Sequence, residues 1–110
     1  WRGPDEPRAG ERQARAMDER TDAERSVRIV NTEGLHARPC HEVVSIALEF
    51  ECEFRVSCRG VEVDGRSVMT LMTLGAARGE TLFLRARGEG AGDLVERIAL
   101  LVEAGFEQSA

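Results

Sequence analysis

Apolar and polar positions alternate first around Val27, Arg28 and Ile29, the pattern of a half-buried strand from about Ser26, and Gly34 closes it. Beyond that glycine the period changes. Cys40, Val43, Val44, Ala47 and Leu48 recur at helical spacing and predict a helix from about Ala37 to Phe50. Period two then returns, with Cys52, Phe54, Val56 and Cys58 on one face of a strand and Glu53, Arg55 and Ser57 on the other. Arg59-Gly60 turns the chain into a short strand, Val61 to Val63, making a hairpin. Asp64-Gly65 ends it, and Ser67 opens a short apolar helix that Gly75 or Gly79 closes. Leu82, Leu84 and Ala86 alternate with Phe83, Arg85 and Arg87 as a fourth strand. Leu94, Val95, Ile98, Leu101 and Val102 mark a last amphipathic helix that stops near Gly105.

The order β-α-β-β-α-β-α, with each element apolar on one side only, predicts an α+β fold. It is a two-layer open-faced β-sandwich, a four-stranded antiparallel sheet covered by helices on one face. Ahead of it, residues 1–24 are charged, carry Pro4 and Pro7 and lack large aliphatic side chains, so they cannot bury enough surface to offset the entropy of ordering. They read as a disordered tail, and residues 25–110 as the folded domain. Met17 inside that tail is the expected natural start.

Composition narrows the partners more than the fold. A formal charge of -5 argues against nucleic acid or an anionic membrane surface as the main partner. No stretch approaches the length of a membrane span and the N-terminus lacks the apolar core of a signal peptide, so the expected location is the cytoplasm. The 15 positive charges are all arginine, a bias that carries no chemistry. Of the three cysteines, Cys40, Cys52 and Cys58, the last two lie too far apart on one extended strand to bond, and reduced, buried thiols are expected.

The chemistry concentrates in "EGLHARPCHEVV", residues 33–44. Gly34 permits a tight turn and Pro39 is tolerated in a first helical turn, which places His36 at or beside the N-cap. Helix-start N–H groups and the helix dipole favour an anion there by about 0.3–1 kcal/mol, rising to about 2 when partly buried. The same field favours a neutral, nucleophilic imidazole. A phosphoryl group accepted on that nitrogen would therefore land in an anion site already present, with Arg38 able to pair with its oxygens. From position alone, His36 reads equally well as a polar surface residue beside a helix start.

"GLHARP" followed by an apolar helix, and some thirty residues on "GRSVMTLMTLGAARG", resembles HPr, the histidine-containing phosphocarrier family of the bacterial phosphotransferase system. The resemblance spans Ser26 to Phe106 in the matching element order. It implies a carrier that is not itself an enzyme and needs no cofactor. On that resemblance His36 is phosphorylated on Nδ1 by Enzyme I, with phosphoenolpyruvate as ultimate donor. The group then passes to enzyme IIA-type domains, for sugar uptake or for regulation. Arg38 matches the arginine beside that histidine, and the expected state is a monomer.

Ser67 is a good N-cap for the second helix, which alone would explain it. In family members with a dedicated HPr kinase/phosphorylase the matching serine is a regulatory phosphorylation site, which adds that enzyme to the expected partners. Val68, Met69 and Met72 resemble the family's apolar docking patch, where pliant methionines suit several partners. Core packing is the competing explanation, and some of these residues must face inward. Thr70 stands where regulated relatives carry glycine, Arg66 and Arg78 replace commoner lysines, and Cys40 and His41 replace small residues.

Other chemistries are poorly supplied. His36, Cys40 and His41 do not make a zinc site, because Cys40 belongs to the apolar face, His41 points elsewhere and no further ligands have metal-site spacing. No metal is expected. A hydrolytic or redox enzyme would need a base, an orienting group and a pocket besides the nucleophile. The competing class is a regulator that acts through phosphorylation-dependent protein contacts without sugar transport.

Overall fold

A computed structural model describes residues 22–106. Four strands and three helices follow one another as β1 (Asp22–Arg28), α1 (Ala37–Ala47), β2 (Glu53–Cys58), β3 (Val61–Asp64), α2 (Val68–Thr73), β4 (Thr81–Arg87) and α3 (Ala91–Glu103). The sheet order is β1-β4-β2-β3, antiparallel throughout. Inward positions of the central strands, among them Phe54, Val56, Leu82 and Leu84, are buried, whereas Phe83 on the opposite parity is exposed. α1 turns Cys40, Val43 and Ala47 onto that inner face and α3 turns Leu94, Ile98 and Val102. Each aliphatic side chain so buried contributes about 1.5–3 kcal/mol. The fold is the expected open-faced sandwich, with all three helices on one side of the sheet.

Two boundaries differ from the sequence reading. β1 begins at Asp22, so the last three residues of the expected tail, 22–24, are strand and pair with Arg87, Ala86 and Arg85 of β4. The rest of that tail, residues 1–21, lies outside the described residues. The early start is hidden because the inward position next to Val27 is a charge: Arg25 reaches over to α3, where its guanidinium lies 2.7 Å from Glu96 and 2.9 Å from Glu103. An arginine with a long apolar stem can occupy such a site while keeping its head at the surface.

The second difference is the end of α1. It stops at Ala47, three residues short of Phe50, and the chain tightens through i+3 bonds from Glu49 N to Ile46 O and from Phe50 N to Ala47 O. Arg66, immediately before Ser67, fixes this end: its Nη1 donates to the carbonyls of Ala47 (3.0 Å), Phe50 (2.8 Å) and Cys52 (3.1 Å). Carbonyls at and just past a helix end are short of intrahelical donors, and the guanidinium supplies one. Leu48, expected on the core side, is consequently 58 % exposed at the helix end.

All three cysteines are free and buried. Burial pushes the Cys40 thiol up to about 11 and raises those of Cys52 and Cys58 as well, which fits inert thiols.

Candidate functional site

The loop between β1 and α1 is built against the segment that follows α2. Ile29 N donates to Glu80 O (2.9 Å) and Gly79 N to Ile29 O (2.7 Å), carrying the pairing of β1 with β4 past their ends. Next, Gly34 N donates to Asn31 O (3.2 Å) while Asn31 Nδ2 donates to Gly34 O (2.8 Å), which closes a tight turn. Leu35 N then donates to Ala76 O at 2.9 Å. Gly34 has φ +68°, and a Cβ placed on it would stand 2.5 Å from Ala76 O and 3.0 Å from Ala77 Cα. Only glycine suits both the conformation and the approach.

The turn delivers His36 as the N-cap residue of α1, with extended backbone angles of φ -95° and ψ -167°. His36 O accepts from Cys40 N at 3.0 Å, and Pro39 fills the position between them, where a missing N–H costs nothing. Pro39 and Cys40 are buried and anchor the first turn, while the Arg38 side chain is exposed. The His36 ring makes no capping hydrogen bond and its side chain is 41 % exposed. Its Nε2 lies 3.4 Å from Glu33 Oε1, a carboxylate that is itself 76 % exposed. No acidic residue occupies the first turn of α1, so no side chain there competes with an anion for the helix start.

The second group of expected residues lies on α2, which packs on α1. Ser67 is its N-cap, the hydroxyl accepting from Thr70 N at 3.3 Å. Thr70 itself is used locally, its Oγ1 donating to the carbonyls of Asp64 and Ser67. Met69 is 78 % and Met72 45 % exposed, whereas Val68 packs partly against the core and Leu71 is fully buried. The helix thus divides the expected patch, with the methionines outward and Val68 turned partly inward. Among the described residues no group of three His, Cys, Asp or Glu side chains comes together that could hold a metal ion, and no helix is long and apolar enough to cross a membrane.

A family model described as the PTS HPr component phosphorylation site matches residues 23–104. The chain belongs to the HPr family. The chain is 34 % identical over 84 residues to the phosphocarrier protein HPr of Pseudomonas aeruginosa, a match covering 74 % of this chain and 92 % of that one. The phosphocarrier protein NPr of Shewanella violacea is 33 % identical over 89 residues, covering 81 % of this chain and 98 % of its own. Among solved structures, HPr-C-His from Thermoanaerobacter tengcongensis superimposes with a TM-score of 0.74 at 30 % identity, covering 77 % of this chain and 96 % of that one. Membership in the HPr family makes the chain a phosphocarrier of the phosphotransferase system and accounts for the open-faced α+β sandwich.

Three residues escaped the sequence reading. Leu48 continues the helical period and so reads as core, and only the early end of α1 turns it outward. Arg66 reads in the sequence only as an arginine in a lysine's place, because its role needs the carbonyls of three residues that are remote in sequence. Glu33 was visible beside Gly34; its contact with the ring depends on the turn that folds residue 33 back toward residue 36.

Proposed function

We propose that the chain carries a phosphoryl group on His36 Nδ1. The group comes from Enzyme I, with phosphoenolpyruvate as ultimate donor, and passes in the cytoplasm to a histidine of an enzyme IIA-type domain. The carrier unit begins with β1 at Asp22 and acts as a monomer. The observation that carries this reading is the exposed imidazole on the N-cap residue of α1, with Arg38 in the same first turn. The lone pair of Nδ1 forms the new N–P bond as the donor's P–N bond breaks, and the pair from that bond stays on the donor nitrogen. The incoming charge is met by the helix start and by Arg38, so acceptance and stabilisation share one geometry. A catalytic base is not required of this chain, because its partners bring the remaining apparatus.

Arg38 has the simplest test. A charge-assisted contact to the moving phosphoryl group is worth about 1.5–3 kcal/mol, so Arg38→Ala should slow transfer roughly 10- to 100-fold in both directions. Its thermal midpoint should stay near that of the unsubstituted chain, since the side chain is exposed. Initial rates with Enzyme I and with the downstream acceptor check this, and unchanged rates remove Arg38 from the site.

Val68, Met69 and Met72, joined by Leu48, are the proposed docking surface for Enzyme I and for IIA-type domains, and Ser67 the place where an HPr kinase/phosphorylase would regulate it. Aspartate caps a helix about as well as serine, and its charge is favourable at a helix start, so Ser67→Asp should leave stability level. The added charge adjoins apolar surface that docking must desolvate, so Enzyme I-dependent phosphorylation should weaken mainly through KM. Met69→Ala should do the same with folding intact, given the exposure of Met69. A lower melting temperature with normal kinetics per folded molecule would instead make these residues structural only.

A second reading is regulation through phosphorylation-dependent contacts without sugar uptake. The likeness to the Shewanella NPr favours it, because that match covers more of this chain than the Pseudomonas HPr match does. Phosphate passing to a regulatory partner and to no sugar permease would select it.

A further inference from the structure

The carboxylate of Glu33 stands 3.4 Å from the His36 ring, at Nε2 rather than at Nδ1. The two ring nitrogens are not equivalent in phosphoryl transfer. When Nδ1 bears the phosphoryl group and Nε2 bears a proton, the ring is cationic. On departure of the phosphoryl group, the N–P electron pair returns to Nδ1 and the ring leaves as neutral imidazole. If Nε2 has lost its proton, the same step must expel an imidazolate, a far poorer leaving group. A negative charge beside Nε2 therefore acts on the one proton that decides how readily the group is released.

We propose that Glu33 is a positioning residue that holds the proton on Nε2 of His36 and so keeps the phosphorylated ring in its transferable form. The inference rests on the carrier reading above. In the unphosphorylated chain the separation of 3.4 Å is a loose contact between two exposed groups, and contacts of this kind tighten when charge develops on the ring. The same carboxylate favours the tautomer with its proton on Nε2 and its lone pair on Nδ1, the nitrogen proposed as acceptor. Release and acceptance are thus served by one charge.

Other charged side chains belong to the elements that meet at this turn. Arg38, His41 and Glu42 lie on α1, while Arg78 and Glu80 lie on the segment packed against Gly34. Glu80 is engaged there by Ala77 N at 2.7 Å and by Arg59. All of these remain when Glu33 is replaced by its neutral isostere, so the variant isolates one charge. Neither Glu33 nor its carboxylate takes part in any described backbone tie of the turn, which is made by Asn31, Gly34, Leu35 and Ala76.

The test is made on the full chain and on Glu33→Gln, each loaded with phosphate by Enzyme I and phosphoenolpyruvate, separated from Enzyme I and followed by phosphorus NMR. The rate of phosphate loss is measured from mildly acid to alkaline pH, at low and at high salt. The charge acts through water on an exposed ring, so the alkaline fall-off in rate should move to lower pH by about half a unit in Glu33→Gln. High salt should draw the two profiles together, because the pair is exposed. Coincident profiles at low salt overturn the proposal, and so does a gap that salt leaves untouched, which would mark a structural effect. Phosphate uptake with coincident profiles removes this proposal alone; no uptake by the unsubstituted chain removes the carrier reading and this proposal with it.

Discussion

Gly34→Ala should lower stability by about 2–5 kcal/mol, the sum of a left-handed backbone on a residue with a Cβ and a clash that the neighbouring chain cannot relieve cheaply. The new methyl carbon would stand 2.5 Å from Ala76 O, a backbone atom, and 3.0 Å from Ala77 Cα. Relief requires the turn to move away from the segment after α2, which breaks the bond from Leu35 N to Ala76 O. A domain of this size shifts its melting temperature by about 4–8 °C for each kcal/mol, so a fall of about 8 °C or more is expected. Gly75→Ala is the control: Gly75 also has positive φ, +57°, but a Cβ there meets nothing within 4 Å. It should cost only the backbone strain, about 1–2 kcal/mol. Equal melting temperatures for the two variants would show that close approach is not what Gly34 provides. The same displacement would also swing His36, whose N–H is bonded to Gly34 O, so folded Gly34→Ala molecules should accept phosphate poorly.

The elements that alternate or recur cleanly were legible because a single face decides them. β2, with Phe54, Val56 and Cys58 all buried, and α3, with Leu94, Ile98 and Val102, lie within a residue or a few of where period two and helical period put them. The misread boundaries are those where a long-range partner overrides the local pattern. Arg25 stands at an inward position of β1 because Glu96 and Glu103 receive it, and α1 stops at Ala47 where Arg66 takes up its terminal carbonyls. At the site, the glycine, the N-cap histidine and the proline of the first turn follow from local steric rules, so "GLHARP" could be placed on a helix start before any coordinates. What those rules could not supply was the clamp on Ala76, the outward turn of Leu48 and the reach of Glu33 to the ring. Each depends on how two separate segments meet.

His36→Ala should abolish phosphate uptake outright while leaving the fold nearly unchanged. The imidazole makes no capping hydrogen bond and its one described partner is the exposed Glu33, so removing it leaves no buried group without a partner. His36 O still accepts from Cys40 N, and the extended backbone of the cap needs no particular side chain. Alanine is a poorer N-cap residue than serine or aspartate, but this cap contributes nothing through its side chain, so the expected loss is well under the roughly 1 kcal/mol of a typical cap. His41→Ala serves as the comparison, because His41 is exposed one turn into the helix and away from its first N–H groups. That variant should take up phosphate at the unsubstituted rate.

The decisive measurement is the stoichiometry and chemical stability of phosphate on the full chain after incubation with Enzyme I and phosphoenolpyruvate, with the modified residue located by mass spectrometry. A phosphoramidate on histidine is labile in acid and stable in alkali, so the expected result is a single acid-labile, alkali-stable phosphate on His36. It should be discharged when an enzyme IIA-type acceptor is added. A chain that takes up no phosphate, or one whose phosphate survives acid or persists in His36→Ala, would contradict the assignment of His36 as the carrier residue.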